Sequence, residues 1–210
     1  MIQIAHICGV LFDLDGTLFD ADYDWPWIKA QLGLAHPGAS ILDHLQSLDA
    51  AERDEHERFL ERVEDEATDS GRLRDGVPAL LEHLGNLGLK VALVTNNRRR
   101  NAEHVTKRFG LAFDAVVTRD DGVYKPSGEP LVEAARRVGC SAGNVIYVGD
   151  NELDIRAARD ANVAHLIMIS DDRERFRARC DRVAADLNEV RDAVASFLKM
   201  DPSRSTTNEP

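Results

Sequence analysis

The chain has 210 residues, which at about 150 residues per domain suits one large core with an insertion better than two full domains. Hydrophobic residues make up 43% and charged residues 30%, an ordinary globular balance that excludes collagen-like, disulfide-dense and disordered classes. With 26 Lys and Arg against 37 Asp and Glu the formal net charge is −11. Its far field repels nucleic acid and anionic membranes, so neither is expected as a partner.

Cys8, Cys140 and Cys180 are odd in number, widely spaced and form no CxxC pair. That pattern argues against a disulfide framework or a zinc site, and the three are read as reduced thiols. The apolar start, 2–12, lacks a basic leader and is broken by Gln3 and His6, so it reads as a strand rather than a signal peptide. No run approaches the roughly 18 apolar residues that a membrane helix needs. A cytoplasmic setting is expected.

In chain order, the first apolar run, 7–12, ends at Asp13. The stretch 20–75 has no strand character and is read as a helical insertion. It opens with Asp24 as a plausible N-cap for a helix over 25–32, breaks at Gly33 and at Pro37-Gly38, and resumes with Leu42, Leu45 and Leu48. From Asp43 to Asp75 there are twelve Asp and Glu against five Arg, a local net of −7, with Phe59, Leu60, Val63 and Ala67 as the apolar stripe. A solvated helix carrying i,i+4 Glu/Arg pairs accounts for this charge without a partner.

A helix over 77–87 follows, entered through Asp75-Gly76 with Pro78 in its first turn. Beyond it, apolar runs at 89–94, 115–117, 145–148 and 163–169 alternate with segments of helical spacing at 99–109, 129–138 and 152–160. Near-continuous apolar strands separated by helices imply an α/β fold with a doubly wound, Rossmann-like parallel sheet. The core is assigned to 1–19 and 76–200, the helical insertion to 20–75, and a disordered tail to 201–210, which holds no large apolar side chain.

The acids at strand ends carry the chemistry. Asp13 and Asp15 close the first strand in Phe12-Asp13-Leu14-Asp15-Gly16-Thr17, and Asp150 closes the fourth in Val148-Gly149-Asp150. Ligands of open α/β sheets bind outside the carboxyl ends of the strands. Carboxylates converging there repel one another unless a cation neutralises them, and Mg²⁺, hard and oxygen-seeking, is the natural one. A lone Asp at a strand end is ordinarily a turn former or helix cap; two such clusters are harder to explain that way. An EF-hand reading fails because Gly16 falls at the fourth loop position instead of the sixth. Thr95 and Asn96 tip the second strand before a helix N-terminus, and Lys125 follows the third. Donors and a cation facing a metal cluster suit a group with several anionic oxygens, a phosphoryl group.

Asp13-Leu14-Asp15-Gly16-Thr17, Thr95, Lys125-Pro126 and Gly149-Asp150 with Asp154 resemble, in order and spacing, the four motifs of the haloacid dehalogenase (HAD) superfamily. The insertion resembles the helical C1-type cap of its phosphoglycolate-phosphatase-like subfamily, in a small form. The resemblance implies a strand order 5-4-1-2-3 and Mg²⁺-dependent hydrolysis of a small soluble phosphomonoester through an aspartyl-phosphate. It also implies Asp13 as nucleophile and Asp15 as general acid and base. Asp13 and Asp150 would bind metal by their side chains and Asp15 by its carbonyl, with Asp154 behind them, bridging through water or orienting Lys125. Thr95, the Asn96 N–H and Lys125 would bind the phosphoryl group.

Asp15 speaks against dehalogenation, since a halide needs no proton. A sugar-phosphate mutase of the same superfamily, or a non-catalytic binding protein on this fold, are the alternative readings. Tyr23, Trp25 and Trp27 at the entry to the insertion are read as core packing more than as a wall over the leaving group. Arg98, Arg99 and Arg100 suit a solvated face or an anion-attracting rim equally, and no histidine is assigned a role.

Overall fold

The computed structural model describes residues 6–34, 36 and 38–201. Its centre is a six-stranded, all-parallel sheet in the order β5-β4-β1-β6-β7-β8. The strands are β1 (Gly9–Phe12), β4 (Lys90–Val94), β5 (Ala115–Val117), β6 (Val145–Gly149), β7 (His165–Ile169) and β8 (Arg182–Ala184). Read from β7 to β5, the five strands anticipated from the sequence stand in the implied order. The sixth, β8, adds an edge beyond β7; at three residues it is too short to show a period.

Alternation along each strand splits the core in two. Val10, Phe12, Leu93, Ile146 and Ile167 face α4 (Val77–Asn86), α5 (Arg99–Arg108) and α9 (Leu187–Met200). Leu11, Val94, Tyr147 and Met168 face α6 (Glu129–Arg137) and α7 (Glu152–Ala161). Both faces are buried, which is why the strands read as unbroken apolar runs.

The insertion leaves and returns through a two-stranded antiparallel stem, β2 (Phe19–Asp20) against β3 (Arg72–Leu73). Between them run α1 (Trp25–Gln31), capped by Asp24 as expected, α2 (Ile41–Ser47) and α3 (Ala50–Ser70). They share an apolar cluster of Ile28, Leu32, Ile41, Leu45 and Leu60. Of the expected break at Pro37-Gly38, position 37 lies outside the described residues.

Three expectations are corrected. The acidic run is not merely a solvated face: Glu64 is 5% exposed and pairs with Arg119, while Arg98 meets Glu61 at 3.1 Å, Glu64 at 3.4 Å and Asp65 at 2.6 Å. These cations come from the core, far along the chain, so local charge spacing could not reveal them. The cysteines are not all free thiols either. Cys8, just before β1, and Cys140, after α6, are disulfide-bonded across 132 residues with Cα atoms 6.2 Å apart, and Cys180 is free. Asp201, assigned to the tail, is buried and accepts the Ile7 N–H at 3.0 Å; 202–210 lie outside the described residues.

Candidate active site

β1 delivers Asp13 to the carboxyl edge of the sheet, where its N–H donates to the Val148 carbonyl at 2.9 Å and its side chain is buried. Asp15 follows, and the chain then turns at Gly16, with φ +82°. A Cβ at Gly16 would collide with the Asp150 carboxylate, so both the turn and the close approach require glycine. β6 ends at Gly149, whose missing side chain makes room for Asp154, and Asp150 follows directly.

Lys125, after β5, is buried rather than on the surface. Its Nζ lies 2.5 Å from Asp13 Oδ1, 2.7 Å from Asp154 Oδ1 and 3.2 Å from Tyr147 OH. Asp154 is fully engaged: Oδ1 also accepts Tyr147 OH at 2.6 Å, and Oδ2 accepts the N–H groups of Asp150 at 3.0 Å and Asn151 at 3.1 Å. It therefore caps α7 and orients the lysine at once. Thr95 is buried at the end of β4, its Oγ1 accepting the Asn97 N–H at 3.0 Å.

Four carboxylates thus share one ammonium. Burial drives Asp13 well above the usual carboxylate range, Lys125 opposes this, and Asp154, Asp150 and Asp15 add to it. Burial, then Asp154, pushes Asp150 up to about 7. Asp15 is pushed up to about 6 by burial, with the Asn97 hydrogen bond opposing. Burial disfavours the charge of Lys125, yet Asp13 and Asp154 outweigh it and hold the lysine protonated. Carboxylate oxygens of Asp13, Asp150 and Asp154 lie within 4.8 Å of one another. With Asp154 spent on four hydrogen bonds, Asp13 and Asp150 are the open donors. An excess of desolvated carboxylate oxygens fits a hard divalent cation.

A cleft of about 410 Å³ opens over this cluster, with Asp13, Asp15, Thr95, Asn96, Lys125 and Asp150 on the core side. Tyr23 and Trp25 line it from the insertion and stack at 4.4 Å; Tyr23 also packs against the insertion's apolar cluster, as preferred, whereas Trp25 is exposed and for it that preference is corrected. Trp27 instead packs on Phe59 at 5.6 Å. The three arginines form no open rim: Arg99 meets Asp121 at 2.6 Å, and Arg98 and Arg100 both turn to α3. Sequence reasoning missed the parts played by Tyr147, Asn97, Glu64 and Arg119. Tyr147 reads as one more apolar residue in a buried strand, and only strand register reveals that its hydroxyl reaches Asp154.

A family model described as haloacid dehalogenase-like hydrolase matches residues 34–168, well over half of the chain. The chain belongs to this family. The matched stretch contains Thr95, Lys125, Asp150 and Asp154 and begins after Asp13 to Thr17. Among HAD-like relatives, the chain is 33% identical over 176 residues to an N-acetylmuramic acid 6-phosphate phosphatase of Pseudomonas aeruginosa, covering 73% of this chain and 77% of that one. It is 34% identical over 176 residues to a phosphoglycolate phosphatase of Xanthomonas campestris, covering 74% and 80%. The crystal structure of a hydrolase from Pseudomonas syringae superposes with a TM-score of 0.76 at 23% identity, covering 90% of this chain and 98% of that one. The chain is accordingly a hydrolase with the HAD fold. Among the described residues no helix is long and apolar enough to cross a membrane.

Proposed function

We propose that this hydrolase cleaves a small soluble phosphomonoester, with Mg²⁺ held by the side chains of Asp13 and Asp150 and the carbonyl of Asp15. The observation that carries the reading is the convergence of Asp13, Lys125 and Asp154 in one buried ion cluster beside Asp150, under a covered cleft. Mg²⁺ when bound neutralises carboxylate and phosphoryl oxygens and aligns the phosphoryl group.

The chain's own residues then have distinct tasks. An oxygen of Asp13 attacks phosphorus and forms an aspartyl-phosphate, splitting one hard displacement into two. Asp15 gives its proton to the leaving alcohol and later takes one from the attacking water. Thr95 Oγ1 already accepts the Asn97 N–H, so its own hydrogen is available to a phosphoryl oxygen, alongside the Asn96 N–H. Lys125 offsets the charge that develops in the transition state. Asp154 keeps it in place.

The same reading treats 20–75 as a cap over a core of 1–19 and 76–200, supported by the β2–β3 stem and the insertion's own apolar cluster. A cover over the cleft suits small substrates that can be shut away from water. A cytoplasmic setting belongs to it too. A reducing compartment would open the Cys8–Cys140 bond, which lies at the opposite end of β1 from Asp13.

The test is phosphate release from a panel headed by phosphoglycolate and N-acetylmuramic acid 6-phosphate, with Mg²⁺ and with EDTA. Turnover should require the metal and vanish in Asp13→Asn. Retention of activity by that variant would overturn the nucleophile.

A further inference from the structure

The orientation of the Asn97 amide is decided by its neighbours. Oδ1 accepts the Arg98 N–H at 2.9 Å, which turns the NH₂ group to the other side. There Nδ2 donates to Asp15 Oδ2 and to Tyr23 OH, both at 3.3 Å. The backbone N–H of the same residue is held by Thr95 Oγ1 at 3.0 Å, and Asn97 is 4% exposed. Asp15 Oδ1, by contrast, is buried with no hydrogen-bond partner among the described residues, although Asp15 lines the cleft.

A carboxylic acid that accepts an amide hydrogen does so best through its unprotonated oxygen, which leaves the proton on the other. We propose that Asn97 is a positioning residue for Asp15: by donating to Oδ2 it leaves Oδ1, the oxygen without a partner among the described residues, to carry the transferable proton. Tyr23, reaching from the insertion, helps to hold the amide there. The inference rests on the reading of Asp15 as proton donor to the leaving group. In that step an Asp13 oxygen bonds to phosphorus, and the bond from phosphorus to the leaving oxygen breaks with its electron pair going to oxygen. The proton on Asp15 Oδ1 moves to the same oxygen, so a neutral alcohol departs and an Asp15 carboxylate remains. Asn97 touches none of the reacting atoms and acts through Asp15.

Protonation matters in proportion to the basicity of the departing oxygen, so nitrophenyl phosphate hardly needs it and an alkyl phosphate needs it most. The experiment measures kcat/KM with Mg²⁺ across substituted aryl and alkyl phosphates for the unaltered protein, Asp15→Asn, Asn97→Ala and Asn97→Ser. Serine retains an acceptor near the Arg98 N–H but is too short to reach Asp15, which makes it the milder variant if alanine does not fold. Asn97→Ala and Asn97→Ser should lose about 100-fold on alkyl phosphates and less than about 5-fold on nitrophenyl phosphate. Equal losses on every substrate, while Asp15→Asn discriminates between them, would overturn the role of Asn97 and leave that of Asp15 standing. Equal losses in Asp15→Asn itself would remove the general acid, and the Asn97 inference with it.

Discussion

Asn96 grips Lys125 by its backbone: Nδ2 donates to the Lys125 carbonyl and Oδ1 accepts the Lys125 N–H, both at 2.8 Å. The lysine is thus fixed at its root by this clamp and at its tip by Asp13 and Asp154. An ammonium that must match a short-lived charge distribution benefits from such fixing, because misplacement by about 1 Å can cost about 100-fold in rate. Asn96→Ala should lower kcat by about 10- to 100-fold while far-UV circular dichroism stays unchanged. Asn96→Asp should do no better, since a carboxylate cannot donate to the Lys125 carbonyl. An unaltered kcat in both would mean that the clamp is idle.

The fastening of α3 to the core, on the wall of the cleft, predicts a stability effect. Glu64 takes Arg119 through both oxygens and Arg98 through one. Removing one member of a buried ion pair strands the other charge, at a cost of about 3 kcal/mol. Glu64→Ala should therefore lower urea-unfolding stability by about that amount, whereas Glu57→Ala on the exposed side of the same helix should change it by less than about 0.5 kcal/mol. Equal effects at the two positions would contradict the latch.

Gly16 offers a backbone test. With φ +82° and the Asp150 carboxylate where a Cβ would stand, it tolerates no side chain, and Gly16→Ala should both strain the turn and push Asp150 away. Activity should drop by more than about 100-fold. Gly33 has a similar φ of +72° but nothing within 4 Å, so Gly33→Ala should cost only about 1 kcal/mol and leave turnover intact. Comparable kinetic damage at both glycines would show that the clash with Asp150 is not the cause.

Protons and metal should compete at the acid cluster. Asp150 is pushed up to about 7 and Asp15 to about 6, from an ordinary 3.8. In this range the folded chain binds more protons than the unfolded one, so these groups make metal-free stability fall as pH rises from about 4 to about 7. In EDTA the melting temperature should therefore drop by several degrees between pH 5 and pH 8. Mg²⁺, which favours the ionised carboxylates, should restore it mainly at the upper end. Asp150→Asn should flatten the EDTA profile and remove the response to Mg²⁺. A melting temperature that climbs from pH 5 to pH 8 in EDTA would oppose this account.

The sequence by itself determined the alternation of strands and helices and the placement of Asp13, Asp15, Thr95 and Asp150 at strand ends, with Lys125 in the loop that follows the third strand. These are local signals: an apolar run marks a strand buried on both faces, and the residue after it must emerge at the sheet's edge. Only the tertiary structure decided the pairings that give those residues their settings. Asp15 meets Asn97 across 82 residues, Glu64 meets Arg119 across 55, and Cys8 meets Cys140 across 132. Tyr147 joins the cluster because register in β6 turns its hydroxyl toward Asp154. No periodicity encodes such meetings, since which side chains face each other depends on how the packed layers bring distant turns together, and a charge's burial is set by those neighbours rather than by its place in the chain.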